Sequence, residues 1–409
     1  PPADPAHTMA PIVVIGASLA GLSAVEAMRD AGHDGEIVVV EASSRLPSDR
    51  PPLSKQVLSG EWEPDKAAQP AARELGGLRA ELRFGVRAVA LDVDRRTITL
   101  SDGSGIEAGG IVLAMGASPR TLPGDPLEGV HVLRDLDECL ALRDDLDRDP
   151  KRVVVIGAGF IGAEVAATCR GRGHDVTMIE ALPQPMSRVL PLDIGRFVAQ
   201  VHREEGVDVR LGVGVEGLDS TRRRVTGVRL ADGSSIEAEV VVVGIGVAPN
   251  IGWLDGSGLT IGNGVVCDAT TLAAPGIVAA GDLAWWPNPH FGEEMRVEHW
   301  EHAIEQGAHA GRRLLADLAG EPGDEYSAVP WFWSDQTGCK IQMAGRPAAD
   351  DECVLVEGDY EQRRFVVAFR RGEACTGVLG VSRPRHVMQG RMRLVESLDW
   401  APIDELFAG

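Results

Sequence analysis

The stretch Ile12-Val13-Val14-Ile15-Gly16-Ala17-Ser18-Leu19-Ala20-Gly21 decides the fold. Four apolar β-formers read as a buried strand, the glycine after them as a tight turn and the small residues beyond as a helix start. Ile37-Val38-Val39-Val40-Glu41 follows as a second buried strand that ends in an acid. Strand, helix and strand make a βαβ unit, in which a pyrophosphate rests on the helix N-terminus and the acid accepts hydrogen bonds from a ribose. Ser18 replaces the middle glycine of the G-x-G-x-x-G pattern, so this copy alone is a weak signal.

The pattern occurs twice. Val153-Val154-Val155-Ile156-Gly157-Ala158-Gly159-Phe160-Ile161-Gly162 leads to Val176-Thr177-Met178-Ile179-Glu180, with full glycine spacing. Glu180 lies 23 positions after Gly157, and Glu41 lies 25 after Gly16, both close to the ~20 expected of a ribose-binding acid. A weaker repeat accompanies each copy. Leu100-Ser101-Asp102-Gly103-Ser104 precedes Ile111-Val112-Leu113-Ala114-Met115-Gly116, and Leu230-Ala231-Asp232-Gly233-Ser234 precedes Val240-Val241-Val242-Val243-Gly244-Ile245-Gly246. Each reads as a hairpin with an Asp-Gly turn feeding a buried strand that stops at glycine. The expectation is an α/β chain with two Rossmann-like dinucleotide-binding domains, one for a flavin and one for a nicotinamide. A third signal, Thr271-Leu272-Ala273-Ala274-Pro275-Gly276-Ile277-Val278-Ala279-Ala280-Gly281-Asp282, reads as a short apolar strand ending in Gly-Asp. An acid there can accept hydrogen bonds from a ribityl chain.

Composition narrows the class. The length of 409 residues exceeds a single small binding module. Forty Lys and Arg against 61 Asp and Glu leave a net charge of −21, a field that repels nucleic acid and anionic membrane surfaces. No apolar run reaches the roughly 18–20 residues needed to cross a bilayer. The start, Pro1 to Ala10, has neither a basic segment nor an apolar core, so no secretory signal is expected; Met9 is the expected natural start, after a Pro-rich remnant or tail. Cys139, Cys169, Cys267, Cys339, Cys353 and Cys375 lie far apart and form no C-x-x-C. Such spacing suits isolated thiols in a reducing cytoplasm and argues against an iron–sulfur cluster, a structural zinc and a dithiol redox pair, and no metal site is expected.

Three further segments are Asp49-Arg50-Pro51-Pro52-Leu53-Ser54-Lys55, Val297-Glu298-His299-Trp300 and Val329-Pro330-Trp331-Phe332-Trp333-Ser334-Asp335-Gln336. With the two glycine turns, they make the chain, from Ala10 to Gly409, resemble the flavoprotein reductases of glutathione-reductase-like fold. More narrowly it resembles the ferredoxin reductases of bacterial oxygenase systems, the putidaredoxin reductase and biphenyl-dioxygenase ferredoxin reductase type.

The resemblance implies roles residue by residue. Gly16, Ala17, Ser18, Ala20, Gly21 and Glu41 match the FAD diphosphate and ribose sites, and Arg50, Lys55, Val86, Arg134, Asp282 and Trp300 match further FAD positions. Gly157, Gly159, Ile161, Gly162, Glu180 and Gly246 match the NAD site. A carboxylate at Glu180 favours NADH, since it repels a 2′-phosphate and the next cation, Arg188, is eight residues on. Lys55 and Glu164 match a pair near the reactive edge of the flavin; the alternative on the residues alone is two unrelated surface charges. No cysteine lies between Glu41 and Cys139, where disulfide reductases of this fold carry their redox pair.

Electrons are therefore expected to pass from NADH to noncovalent FAD and leave singly to a small [2Fe–2S] ferredoxin that serves a terminal oxygenase. Rubredoxin reductase, a nitrite-reducing system and an NADH-sensing protein similar to apoptosis-inducing factor are the alternatives. Arg312, Arg313, Trp333 and Lys340 match the ferredoxin dock. The cations could equally be solvated, and the pair Trp331 and Trp333, on one strand face, could equally be interface packing. The implied domains are FAD-binding 10–117 and 247–324, NAD-binding 118–246, and a C-terminal α+β domain 325–409. That last part is predicted from strand-like runs over 340–343, 353–356, 364–369 and 376–381 and a helix over 383–396.

Overall fold

The computed structural model of the chain describes residues 10–69, 75–147, 149, 151–187 and 189–407; Met9 and Arg188 lie outside them. Contacts sort the chain into two units. Pro1–Ser48, Ala68–Ser118 and Pro249–Ala328 make the first, and Asp49–Ala67, Pro119–Ala248 and Val329–Gly409 the second.

In the first unit Ile12–Ile15 lies inside a six-stranded sheet, flanked by Gly110–Leu113 and Ile37–Glu41. Glu81–Phe84 closes one edge, and Ile277–Ala279 and then Leu272–Ala274 the other. All pairings are parallel except the last. A strand covered on both faces needs an apolar side chain at every position, not every second one. Ile12–Ile15, Ile37–Val40 and Ile111–Leu113 meet that need, each side chain being at most 3% exposed. The helix Leu19–Asp30 packs on the helix Trp300–Leu318, where a Cβ on Gly307 or Gly311 would stand 2.3 or 2.5 Å from the carbonyl oxygen of Ala20 or Ala24.

One sequence expectation changes here. Residues 271–282 form two short antiparallel strands, not one, because Pro275 cannot donate to a ladder and Gly276 turns the chain at φ +76°. Gly281–Leu283 then makes a single 3₁₀ turn.

The second unit holds a five-stranded parallel sheet in the order Asp208–Leu211, Asp175–Glu180, Arg152–Ile156, Val240–Val243 and Val130–His131. The hairpin repeat survives to the level of single bonds. Asp102 Oδ1 accepts from the Ser104 amide at 2.9 Å and hydroxyl at 2.6 Å, and Asp232 Oδ1 accepts from Ser234 at the same two distances. The tail adds an antiparallel sheet ordered Trp331–Gln336, Cys339–Gly345, Ala374–Val381, Arg364–Arg371 and Glu352–Asp359, followed by helices Pro384–Glu396 and Trp400–Phe407. Phe365, Val367 and Leu379 of this sheet share one apolar cluster with Val155, Met178 and Phe197.

Candidate active site

The two glycine turns are the same structure built twice. Gly16 N–H donates to Val40 O and Gly157 N–H to Ile179 O, both at 2.8 Å. Their φ angles are +105° and +100°, and a Cβ on either would stand 2.3 Å from a carbonyl oxygen, that of Ala114 or of Gly244. A Cβ on Gly21 or Gly162 would meet the carbonyl oxygen of Gly16 or Gly157 at 1.9 or 2.0 Å. These four glycines are imposed by the backbone itself. The middle residues are different: Ser18 and Gly159 are both extended, at φ −96° and −74°, and any residue can adopt that geometry. Ser18 Oγ accepts from Gln69 Nε2 at 3.2 Å, whereas a Cβ on Gly159 would meet nothing within 4 Å.

The acids repeat as well. Glu41 accepts from Ala17 N at 2.8 Å and Ser43 N at 2.9 Å, one bond per oxygen. Glu180 accepts from Ala158 N and Leu182 N, both at 2.9 Å. Each carboxylate oxygen keeps a second lone pair for a ribose hydroxyl. Helix N-termini with open donors, a cradle that a Cβ would fill and a fixed acid suit a dinucleotide in both places. Ile161, on the helix behind the second turn, is 48% exposed.

Lys55 sits on a π turn, Leu53–Val57, closed by Val57 N–H donating to Pro52 O at 2.9 Å. Such turns are rare and concentrate at functional sites. Thr168 Oγ1 donates to Ser54 O at 2.7 Å, Arg172 Nη1 to Leu58 O at 2.9 Å and Cys139 Sγ to Leu53 O at 3.1 Å, which fastens the turn to the helices Phe160–Gly171 and Leu136–Leu146 and to the residue just after the first of them. Lys55 Nζ then lies 2.9 Å from Glu164 Oε2, with the two side chains 13% and 4% exposed. They are one buried ion pair, not two surface charges. Ser54 Oγ donates to the same oxygen at 2.5 Å, while Ser334 Oγ at 2.7 Å and Asp335 N at 3.3 Å donate to Oε1. The carboxylate thus receives four donors, which offset the cost of burying its charge. Sequence reasoning passed over Ser54 and Ser334, although both stand inside the quoted marker segments.

Other expected residues divide between the units. Val86, whose N–H donates to Glu41 O at 3.1 Å, lies in the first unit with Asp282 and Trp300. Asp282 is 6% exposed, and its carbonyl accepts from Arg296 Nη1 at 2.8 Å. Two residues along from Trp300, which opens its helix, His302 stacks on Trp286 at 5.0 Å, and burial pushes its imidazole down to about 3, so it stays neutral. Arg50, Lys55 and Arg134 belong to the second unit together with Gly157, Gly159, Glu164, Glu180 and Gly246. Gly246, at φ +95°, offers its carbonyl to Arg120 N at 2.9 Å.

The docking residues need a correction. Arg312 is exposed, but Arg313 is buried in the first unit, where its Nε donates to Thr270 Oγ1 at 2.7 Å and its Nη2 pairs with Asp317 at 3.3 Å. Adjacent positions on a helix point about 100° apart, so only one of two neighbouring arginines faces solvent. Lys340 is exposed, 3.9 Å from Asp335 across the strand pair. Trp331 and Trp333 share one face, with ring centroids 5.6 Å apart. All six cysteines are free, and among the described residues no group of three or more His, Cys, Asp or Glu could hold a metal. Among the same residues, no helix is long and apolar enough to cross a membrane.

Comparison with known proteins gives this geometry its context. Residues 10–307 match the family described as pyridine nucleotide-disulphide oxidoreductase, and residues 331–402 match the Reductase C-terminal family. The chain is 38% identical to rhodocoxin reductase of Rhodococcus erythropolis, over 96% of this chain and 91% of that protein. It is 36% identical to the ferredoxin–NAD(+) reductase component of the anthranilate 1,2-dioxygenase system of Burkholderia cepacia, over 87% of each. Among solved structures it is similar to the reductase in the covalent putidaredoxin reductase–putidaredoxin complex, with 30% identity, 98% of both chains covered and a TM-score of 0.89. Two glycine turns with paired acids, no redox cysteine pair and a Trp-bearing C-terminal sheet thus place the chain in the pyridine nucleotide-disulphide oxidoreductase family, among its ferredoxin reductases.

Proposed function

We propose that this chain is a cytoplasmic, NADH-dependent flavoprotein reductase that passes electrons to a small [2Fe–2S] ferredoxin, which in turn supplies a terminal oxygenase. The observation that carries the reading is the buried pair of Lys55 with Glu164, the latter on the helix that follows the second glycine turn. Bound FAD would supply the chemistry no side chain here has, acceptance of a hydride and its release as single electrons. Residues 10–117 and 247–324 would hold FAD through Gly16–Gly21, Glu41 and Asp282. Residues 118–246 would hold NADH through Gly157–Gly162 and Glu180, and 325–409 would form the third domain. Lys55 Nζ would offer positive charge to a flavin as it takes up hydride, and Glu164 fixes the ammonium.

Three features support the partner and the compartment. A similar reductase is solved in complex with putidaredoxin. Arg312 and Lys340 are exposed cations in a chain of net charge −21, suited to local attraction of an acidic partner. The unpaired thiols fit a reducing compartment.

The test is NADH-dependent cytochrome c reduction by the purified yellow protein, with and without small [2Fe–2S] ferredoxins. Strong stimulation by one ferredoxin is expected. Rapid flavin reduction with no stimulation would instead favour a rubredoxin-type or nitrite-reducing acceptor, or an NADH sensor. Arg312→Glu is expected to raise the apparent KM for the ferredoxin severalfold and leave that for NADH unchanged. Equal effects on both would remove Arg312 from the dock.

A further inference from the structure

Behind Glu164 runs a line of buried polar side chains. Ser334 Oγ donates to Glu164 Oε1 at 2.7 Å, Gln336 Nε2 donates to Ser334 Oγ at 2.9 Å, and Gln336 Oε1 lies 3.2 Å from His202 Nε2. His202 and Ser334 are fully buried, and Gln336 and Glu164 are each 3% exposed. Ser334 and Gln336 stand two apart on the strand Trp331–Gln336, so they share one face of it, opposite Trp331 and Trp333. His202 comes from the helix Leu192–Glu204.

The direction of the chain follows from its ends. A carboxylate only accepts, so the single Ser334 hydrogen goes to Glu164, and a serine lone pair is left to take the Gln336 amide N–H. The Gln336 carbonyl then faces His202, which must carry its proton on Nε2. Burial lowers the His202 pKa, so the imidazole is neutral and has one proton to give. Its other nitrogen, Nδ1, is buried and has no hydrogen-bond partner among the described residues. The opposite amide orientation would take the serine hydrogen for itself and leave Glu164 Oε1 facing a lone pair. Every hydrogen in the line therefore points toward Glu164, an arrangement in which successive bonds polarise one another.

We infer that His202, Gln336 and Ser334 are positioning residues for the hydride-transfer step. They hold Glu164 by Oε1 and so leave Oε2 to fix the Lys55 ammonium. The C-terminal sheet thereby completes the nicotinamide side of the site. This inference rests on the roles proposed above for Lys55 and Glu164.

The experiment measures the rate of flavin reduction by NADH in the holoenzyme after rapid mixing. Ser334→Ala is expected to slow it about tenfold, the size of one hydrogen bond to a charged group. Ser334→Thr, which keeps the hydroxyl, restores the rate. Gln336→Leu and His202→Phe give successively smaller losses, with flavin content and Tm checked for each. The Ser334→Ala loss disappears in a Glu164→Gln background, because a positioning effect needs the group that is positioned. Wild-type rates in Ser334→Ala and Gln336→Leu, or an undiminished loss in the Glu164→Gln background, would overturn the inference while Lys55 and Glu164 keep their roles. Wild-type rates in Lys55→Met and Glu164→Gln themselves would overturn the underlying reading, and the inference with it.

Discussion

The turns at 16–21 and 157–162 agree in their backbone hydrogen bonds and differ in side chain at three positions, of which the central one sets Ser18 against Gly159. The agreement identifies which glycines the fold requires. Gly16, Gly21, Gly157 and Gly162 each face a carbonyl oxygen that a Cβ would strike at 2.3 Å or less. Gly159 faces open space, so its missing side chain serves what approaches from outside. In the first turn that position carries a hydroxyl held by Gln69, which suits a resident cofactor that arrives once. The open position suits a cofactor that must come and go at every turnover.

The largest test breaks the two turns separately. Gly21→Val is expected to give protein without bound flavin, while Gly162→Val keeps the yellow flavin and loses its reduction by NADH; absorbance before and after adding NADH reads both. Loss of flavin in both variants would end the assignment of one cofactor to each turn. Next in size is Glu180→Ala, which removes the acceptor for a ribose 2′-hydroxyl and the repulsion of a 2′-phosphate. The ratio of kcat/KM for NADH to that for NADPH is expected to fall by about tenfold or more, whereas Glu41→Ala leaves it unchanged and weakens flavin retention.

Exchanging the odd residues sharpens the comparison further. Gly159→Ser is expected to raise KM for NADH severalfold without changing Tm, since the backbone there is extended. Ser18→Gly is expected to leave flavin content as it is. A folding defect in Gly159→Ser would mean that the middle glycine is also required from within. The smallest effect lies in the repeated hairpins. The Ser104 and Ser234 hydroxyls hold the exposed Asp102 and Asp232 carboxyls below their usual range. A depressed carboxylate contributes stability that is present above the unfolded value near 3.9 and lost as pH falls through the folded one. Asp102→Ala and Asp232→Ala should therefore each lower Tm slightly and equally at pH 7, and the difference should fade in acid.

Much of this was legible in the sequence because it is local. Periodicity, glycine spacing and a terminal acid fall within about 30 consecutive residues, and sheet strands covered on both faces are apolar throughout. The Lys55–Glu164 contact, 109 positions apart, was reachable only through resemblance. Ser334 and Gln336 carry no signal of their own in the sequence, since their partners Glu164 and His202 are set by tertiary packing. Arg312 and Arg313 look alike in sequence; which of them is buried depends on Thr270, 43 positions from Arg313.

The chain passes from one unit to the other at 48/49, 67/68, 118/119, 248/249 and 328/329. Neither unit is therefore a continuous stretch of gene, and a single crossover at 67/68 or 118/119 between two such reductases would separate Lys55 from the Glu164 with which it was selected. Recombinants that keep 49–67 with 119–248 and 329–409 preserve that pair; those cut once at 67/68 or 118/119 combine a lysine from one parent with a carboxylate from the other.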